Sequence, residues 1–213
     1  TKAAKPVLLL DVGANSECKA HHLAQFAIMG DAYSRSVLGT IKPTVGLMSI
    51  GEEEAKGNDL TKEAFPLLRQ LSNINFVGNV EGRDVYSGNA DIVVCDGFIG
   101  NIALKISEGV ADTIKKLLFK EIAGSFFGRL AYPLIATPLV KLKRRIDYAE
   151  FGGAPLLGVN GVTIICHGRS SAKAIKNAIR RAKGLAESHV DQLIQRDIEE
   201  SRCQSRPAEE PPA

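Results

Sequence analysis

Residues 91–101 decide the fold, and they read Asp91-Ile92-Val93-Val94-Cys95-Asp96-Gly97-Phe98-Ile99-Gly100-Asn101. A short apolar run is followed at once by two glycines and then by a helical pattern that extends to about residue 122. Continuous apolar strands that turn directly into helices are typical of a parallel sheet covered on both faces. The segment therefore predicts an α/β protein.

The same order of strand, loop and helix recurs along the chain. We predict further strands at residues 7–10, 45–50, 74–77 and 162–166, and further helices at about 17–38, 61–71 and 171–198. Ligands of such sheets bind at the carboxyl ends of the strands. The loops at 11–15, 51–58 and 96–101 are therefore the places to search for chemistry.

Bulk properties exclude few classes of protein. The chain has 213 residues, 45% hydrophobic content and a formal charge of +3, which is too weak to indicate nucleic acid. No signal-peptide pattern opens it, and its four scattered cysteines form no CxxC, so we expect reduced thiols in a cytoplasmic protein. The sequence starts without Met and enters a strand within ten residues, which predicts the carboxyl-terminal part of a longer protein. We expect one α/β domain over 1–202 with an amphipathic insertion at 125–148, and a disordered tail at 203–213.

The loop at 96–101 suits an anion. Gly97 and Gly100 allow close backbone approach to a ligand, and the following helix presents N–H groups and a partial positive charge. Asn101 is expected at the N-cap, where its amide either caps the helix or turns toward a ligand. An ordinary strand-to-helix turn explains the pattern about as well. Neither GxxxxGK[ST] nor GxGxxG is present, so those two kinds of nucleotide binding are unsupported.

Three other segments end strands in the same way. Gly13, Ala14 and Asn15 repeat the glycine-loop design, with a simple capped turn as the alternative. Lys56 lies in a loop beside three glutamates, and it is either a solvated charge or a cation facing the cleft. His167 follows the last predicted strand and is a candidate general acid, a phosphate donor or a structural group.

The sequence offers no obvious nucleophile. GxSxG is absent, and Cys95 and Cys166 each end an apolar strand, where buried and inert thiols are common. Chemistry without a covalent intermediate fits better, in which a bound anion attacks and the protein positions it and stabilises charge. No obvious cluster of metal-binding aspartates is present, so we expect neither a metal site nor a cofactor.

The segment 125–148 is amphipathic and ends in basic residues. Its uncharged stretch is far shorter than the ~20 residues that span a bilayer, and Pro133 and Pro138 are expected to break the helix into pieces. The pattern is typical of an interfacial membrane segment, or equally of a core or dimer-interface helix. Its candidate membrane contacts are Phe126, Phe127, Leu130, Leu134, Leu139 and Leu142.

Taken together, these segments resemble the PlsX-type phosphate acyltransferases of bacterial phospholipid synthesis. The similarity extends to about residue 199 and is carried by the stretches at 11–15, 56–62, 74–81, 96–101, 148–158 and 167–168. The resemblance implies a Rossmann-like parallel-sheet sandwich related to the isopropylmalate dehydrogenase and phosphotransacetylase folds, with a protruding amphipathic helical segment. It also implies that a fatty acyl group passes from acyl carrier protein to inorganic phosphate.

The resemblance assigns roles and partners as well. It carries the family's catalytic Lys and Asn onto Lys56 and Asn101. We add His167 as a second-tier candidate that assists departure of the carrier's thiol. It implies a cytoplasmic homodimer that attaches peripherally to membranes. Members also carry an amino-terminal Asp-Ala-Met-Gly-Gly-Asp loop that nothing here matches. Two alternatives stay open: a coenzyme A-dependent phosphate acetyl- or butyryltransferase, and a non-catalytic module that binds carrier protein and membrane.

Overall fold

The computed structural model describes residues 6–146 and 148–204, without the side chains of 128, 129, 131, 142–146, 148 and 204. The strands are β1 (Leu8–Leu10), β2 (Thr44–Met48), β3 (Asn75–Val80), β4 (Ile92–Val94), β5 (Ala154–Leu156) and β6 (Thr163–Ile165). The helices are α1 (Ala20–Ser36), α2 (Asp59–Gln70), α3 (Asp84–Ser87), α4 (Gly97–Gly124), α5 (Phe126–Ile146), α6 (Tyr148–Phe151), α7 (Ala172–Ser188) and α8 (Val190–Gln204).

Four strands form one parallel sheet in the order β1-β4-β2-β3. This confirms the predicted α/β class, and the arrangement is consistent with a Rossmann-like fold. The last predicted strand behaves differently, because β6 pairs antiparallel with β5 in a separate two-stranded sheet. The sequence pattern missed β5, since Pro155 lies in the middle of this three-residue strand.

Side chains alternate between the two faces of the parallel sheet. On one face Leu47 and Ile92 are fully buried in a cluster that includes Leu23 of α1 and Leu68 of α2. The opposite face holds a smaller cluster around Val93. Both helices thus pack on the same face of the sheet.

The chain divides into two compact units, which are described separately. The first contains residues 6–103, Leu157–Gly161 and 185–204, and the second contains Leu104–Leu156 and Val162–Gly184. In the second unit Gly152 has φ +83°, and a Cβ there would lie 2.3 Å from the backbone nitrogen of Ala178. The loop before β5 therefore approaches α7 closely enough to require glycine.

Two helix predictions were wrong. Pro133 and Pro138 lie within an uninterrupted α5, where both are exposed, so water can satisfy the carbonyls that they leave unpaired. The chain breaks instead at Ser125, between α4 and α5. The long helix predicted at 171–198 is two helices, separated at His189 with φ +50°. The predicted tail lies outside the described residues from 205 onward.

Buried charges fix two parts of the first unit. Arg35 of α1 donates to Asp31 at 2.7 Å and to Asp197 of α8 at 2.5 Å, and both carboxylates are buried. After β3, the carboxylate of Asp84 accepts from the backbone nitrogen of Glu81 and from Asn89 Nδ2, both at 2.9 Å. The bond from Glu81 is the main reason why the pKa of Asp84 is lowered.

Candidate active site

Three predicted loops lie at one edge of the parallel sheet. Since β1, β4 and β2 are adjacent parallel strands, the segments that follow them leave from the same edge. These segments are 11–15, 96–101 and 49–58. The prediction that the glycine loops and the lysine loop share the carboxyl edge is confirmed for the first unit, which contains all three.

The first loop is closed around Asp11. One oxygen of its carboxylate accepts from the backbone nitrogens of Gly13 at 2.8 Å and Ala14 at 2.7 Å. The other accepts from Asn15 N at 2.8 Å and from Asn15 Nδ2 at 2.9 Å. The amides expected to bind phosphate therefore bind this buried carboxylate instead. A carboxylate with several such donors is well satisfied, so the loop is a built turn with its amides already used.

The second loop starts its helix earlier than predicted. α4 begins at Gly97, and Asp96 caps it by accepting from Ile99 N at 2.8 Å. Asn101 is therefore not the N-cap but a residue of the helix, and its side chain is exposed. Gly97 N donates to Asn15 O at 2.8 Å and Gly100 N to Asp96 O at 2.9 Å. Three of the first four helix amides are thus occupied, which leaves little of the expected anion site.

The glycines of the second loop are required by contact with the first. A Cβ on Gly100 would lie 1.7 Å from Asp11 O, and one on Gly97 would lie 2.7 Å from Asn15 O. Backbone atoms cannot give way as a flexible side chain can. Gly97 and Gly100 therefore serve loop-to-loop packing, and their role in ligand approach stays a prediction.

Asn101 lies beside the first loop. The Cβ position of Gly13, which has φ +131°, is 3.6 Å from Asn101 Cβ and 3.8 Å from its Oδ1. The structure thus brings together one predicted catalytic residue and one predicted binding residue. An exposed carboxamide on a rigid helix, next to a well-fixed turn, is suited to orienting a ligand oxygen.

Lys56 belongs to the loop that follows β2. Its side chain is exposed, and its backbone nitrogen donates to Glu53 O at 3.0 Å. The Cγ of Lys56 lies 3.0 Å from the Cβ position of Gly51, so the loop folds back on itself. Asn58 then caps α2 by accepting from Thr61 N at 2.9 Å. Lys56 is thus a solvent-facing cation on a closed turn at the same edge as Asn101.

His167 belongs to the second unit and is described with it. It follows β6, its side chain is exposed, and its Nδ1 accepts from Arg169 N at 3.1 Å. Ser170 N donates to His167 O at 2.9 Å, so the residue also shapes the turn into α7. This geometry fits the structural alternative and leaves a catalytic role as a prediction.

The thiol beside the loops is not a nucleophile. Cys95 is 4% exposed, and burial together with the nearby carboxylates of Asp96 and Asp11 raises its pKa to about 12. This confirms the prediction of a buried, inert thiol at that position, while Cys166 is half-buried. All four cysteines are free. In the described part of the chain, no three His, Cys, Asp or Glu residues are grouped so as to hold a metal ion.

Sequence reasoning missed two residues that build the site, Asp11 and Asp96. Each ends an apolar strand and precedes a glycine within two residues, which is a signal for Asp-capped turns. The sequence contains this signal, but the glycines were interpreted as ligand-binding residues instead.

Fold and site define an α/β protein with a polar loop cluster at the carboxyl edge of a parallel sheet. Residues 1–193 match the family described as fatty acid synthesis protein, and the chain belongs to that family. A phosphate acyltransferase of Thermodesulfovibrio yellowstonii is 52% identical over 194 residues, covering 91% of this chain and 56% of the relative. One from Campylobacter lari is 56% identical over 191 residues, covering 90% and 57%. The chain thus spans a little over half the length of these relatives.

Proposed function

We propose that this chain carries the phosphate-activating part of a phosphate acyltransferase that moves a fatty acyl group from acyl carrier protein to inorganic phosphate. The observation that carries the proposal is the meeting of three loops at one sheet edge, with Asn101 against Gly13 and Lys56 on the loop that follows the adjacent strand β2. The names of the relatives support the reaction class.

The chemistry asks the protein to hold an anion and stabilise charge. Lys56 neutralises phosphate, and the Asn101 carboxamide donates to a phosphate oxygen or to the thioester oxygen. A phosphate oxygen attacks the thioester carbon, the C–O bond forms, and the C–S bond breaks. The departing thiolate takes a proton from water, and a role of His167 in this step stays a prediction from the sequence. Because the amides of 13–15 bind Asp11, side chains rather than that loop carry the phosphate.

The test is acyl phosphate formation, followed as its hydroxamate. Two proteins are compared: this chain alone, and a chimera that joins it to the region of the Thermodesulfovibrio yellowstonii relative that it does not cover. We expect turnover in the chimera, with losses of at least about 100-fold in Lys56→Ala and Asn101→Ala. Unchanged rates in both variants would refute the assigned roles. Carrier binding without turnover in either protein would favour the non-catalytic module.

The acyl donor is tested in the same assay. Acyl carrier protein and coenzyme A thioesters of equal chain length are supplied in parallel at matched concentrations. We expect a higher kcat/KM with the carrier protein. A preference for short-chain coenzyme A thioesters would instead identify a phosphate acetyl- or butyryltransferase.

Membrane attachment is proposed through α5, and exposure of its apolar residues supports it. Phe126, Phe127, Leu130 and Leu134 are 70–83% exposed, Leu139 is half-buried, and the Leu142 side chain lies outside the described residues. No described helix is both long and apolar enough to cross a bilayer. Each anchor that enters an interface contributes roughly 1.5–3 kcal/mol, and each nearby basic residue about 1 kcal/mol on anionic lipid.

Liposome flotation tests the attachment. We expect binding that strengthens with anionic lipid, weakens with salt, and is lost in Leu130→Glu or Leu134→Glu. Tyr132→Glu is the matched control, because it adds the same charge at an exposed position on the opposite side of α5 from Leu130. Variants that stay on liposomes but lose self-association would instead make α5 a dimer contact.

A homodimer is proposed through α4. Ile106, Val110, Ile114 and Leu117 recur at helical spacing and are 52–61% exposed, which is a long apolar stripe for a surface helix. We expect Val110→Glu to yield monomers in sedimentation equilibrium. Lys116→Glu, on another side of the helix, should not. Monomeric parent protein would exclude the dimer.

A further inference from the structure

A buried amide on β3 reaches into the lysine loop. Asn79 is 6% exposed, and its Nδ2 donates to Glu53 O at 2.8 Å. Asn79 lies beside the buried core residue Leu47 in the sheet register. Burying a carboxamide there is unfavourable unless it makes hydrogen bonds. Its bond to Glu53 is therefore a reason for a polar residue at this position of the strand.

The same carbonyl holds the lysine. Glu53 O accepts from Asn79 Nδ2 and also from Lys56 N, at 3.0 Å. A carbonyl oxygen has two lone pairs, so one atom can serve both donors. A chain of two hydrogen bonds thus connects the rigid sheet to the backbone of Lys56. If Asn79 stops donating, the turn keeps its internal bond but loses this hydrogen bond to the sheet.

A second contact fixes the far side of the loop. Gly57 has φ +112°, and a Cβ there would lie 2.1 Å from Thr61 Oγ1 and 2.9 Å from Ser49 Oγ. The loop therefore passes directly over Ser49, which follows β2 and shares a sheet face with Leu47 and Asn79 by alternation. Lys56 is held between this contact and the Glu53 carbonyl.

Two buried oxygen atoms under the lysine loop can each still form a hydrogen bond. Within the described residues, Asn79 Oδ1 and Ser49 Oγ are buried and have no hydrogen-bond partner. Such atoms typically cost stability, so a protein optimised only for packing would place apolar side chains here. The polar side chains of Asn79 and Ser49 lie under the loop that carries the solvent-facing Lys56. We interpret them as groups that fix the position of this loop.

We propose that Asn79 is a positioning residue for Lys56 and acts through the Glu53 carbonyl. This rests on the proposed phosphate-neutralising role of Lys56. A misplaced cation stabilises bound phosphate less well, and displacement by about 1 Å is enough to cost up to about 100-fold in rate. Loss of the Asn79 bond should therefore raise the KM for phosphate about tenfold or more, with a smaller effect on the KM for the acyl donor.

Asn79→Asp is the decisive variant, because it keeps the shape and removes the donor. Asn75→Asp, at the half-buried start of the same strand, is the matched control. The first readout is amide hydrogen exchange at Lys56 in the 213-residue chain, relative to core amides of β4. We expect exchange at Lys56 at least about tenfold faster in Asn79→Asp, and unchanged exchange in β4.

A pH series separates positioning from general loosening. Below about pH 5 the introduced carboxyl becomes protonated and can again donate to Glu53 O. The ratio of variant to parent exchange at Lys56 should then return toward one, while the ratio in β4 stays near one throughout. General loosening by the buried carboxylate would instead change the ratio in β4 with pH as well. If Asn79→Asp does not fold, Asn79→Ser is measured at Lys56 in the same way, with the same expectation of faster exchange.

The outcomes distinguish this proposal from the proposed function. Equal exchange at Lys56 in parent and folded Asn79 variants overturns the positioning role. If exchange rises but Lys56→Ala leaves the phosphate KM of the active chimera unchanged, the loop connection stands and the role of Lys56 in the reaction fails. If Lys56→Ala raises the phosphate KM and Asn79→Asp does not, only the positioning proposal fails.

Discussion

Replacing Gly100 with alanine tests whether the two glycine loops are locked together. The new Cβ would lie 1.7 Å from Asp11 O and 2.8 Å from the carbon that bears it. Ordinary contact starts at 3.4 Å, so the backbone of one loop must move by more than an ångström. Asp11 cannot move alone, because its backbone nitrogen donates to Cys95 O and its carboxylate holds three amides.

The expected cost follows from this crowding. Overpacking in a tight core costs typically 1–3 kcal/mol, and a clash with a fixed backbone belongs at or above the upper end, about 3 kcal/mol. For a chain of this size each kcal/mol corresponds to about 2–4 °C, so the melting temperature should fall by roughly 6–12 °C. Urea unfolding measures the free energy and thermal unfolding the melting temperature, both followed by circular dichroism in the far ultraviolet.

Gly109→Ala is the control on the same helix. Gly109 lies inside α4, is exposed, and has no heavy atom within 4 Å of its Cβ position. Alanine is there favoured over glycine by up to about 1 kcal/mol. The same substitution should therefore destabilise at Gly100 and stabilise at Gly109. A Gly100→Ala protein within about 0.5 kcal/mol of the parent would refute the interlocked loops.

Three further predictions concern charges and thiols. Asp84→Asn should lower the free energy of unfolding by about 1–3 kcal/mol at pH 7. Since the pKa of Asp84 is lowered in the folded protein, its stabilisation is present above about pH 4 and lost as the pH falls. Urea unfolding at several pH values should therefore show a weaker loss of stability in acid for the variant than for the parent. Iodoacetamide at pH 8 should label exposed Cys203 well before Cys95, as followed by mass spectrometry, and equal labelling would contradict the pKa of about 12. Arg35→Met leaves two buried carboxylates without their shared cation and should cost about 3–5 kcal/mol in urea unfolding. Arg196→Met, at a 62% exposed side chain, should cost under about 1 kcal/mol. Similar losses in both variants would refute the buried pairing.

The sheet was predictable because burial leaves a direct mark on sequence. Strands β2 and β4 are continuous apolar runs, and each is followed by a loop and a helix. Helix ends were harder to predict. The break at His189 depends on a single left-handed residue, and no glycine or proline marks it. The reverse error was made in α5, which runs without interruption through the exposed Pro133 and Pro138.

The site was predictable in place and not in detail. The α/β pattern predicts a parallel sheet but not which strands are adjacent in it. The loops were therefore expected at one edge of the sheet, but the pattern could not predict which loops contact each other. The contact between Asn101 and Gly13 depends on β1 pairing with β4, which no local pattern encodes. The hydrogen bond of Asn79 could not be predicted from the sequence, because its acceptor is a carbonyl 26 residues away.

The division of labour among the loops has a physical reason. Asp11 and Asp96 bind backbone amides with buried or half-buried carboxylates, so the two glycine loops form a rigid support that carries negative charge close to the edge. Phosphate cannot compete for those amides without displacing the carboxylates. An anion therefore needs a cation from another loop to bind here, and Lys56 is an exposed cation on the loop that follows the adjacent strand β2.

Lys56→Gln should consequently weaken phosphate binding more than Asn101→Ser, because of these two residues the lysine alone offsets the charge of the two carboxylates. Isothermal titration with inorganic phosphate measures the affinity of each variant. Equal losses of affinity in the two variants would mean that the carboxylates of Asp11 and Asp96 do not repel the bound phosphate.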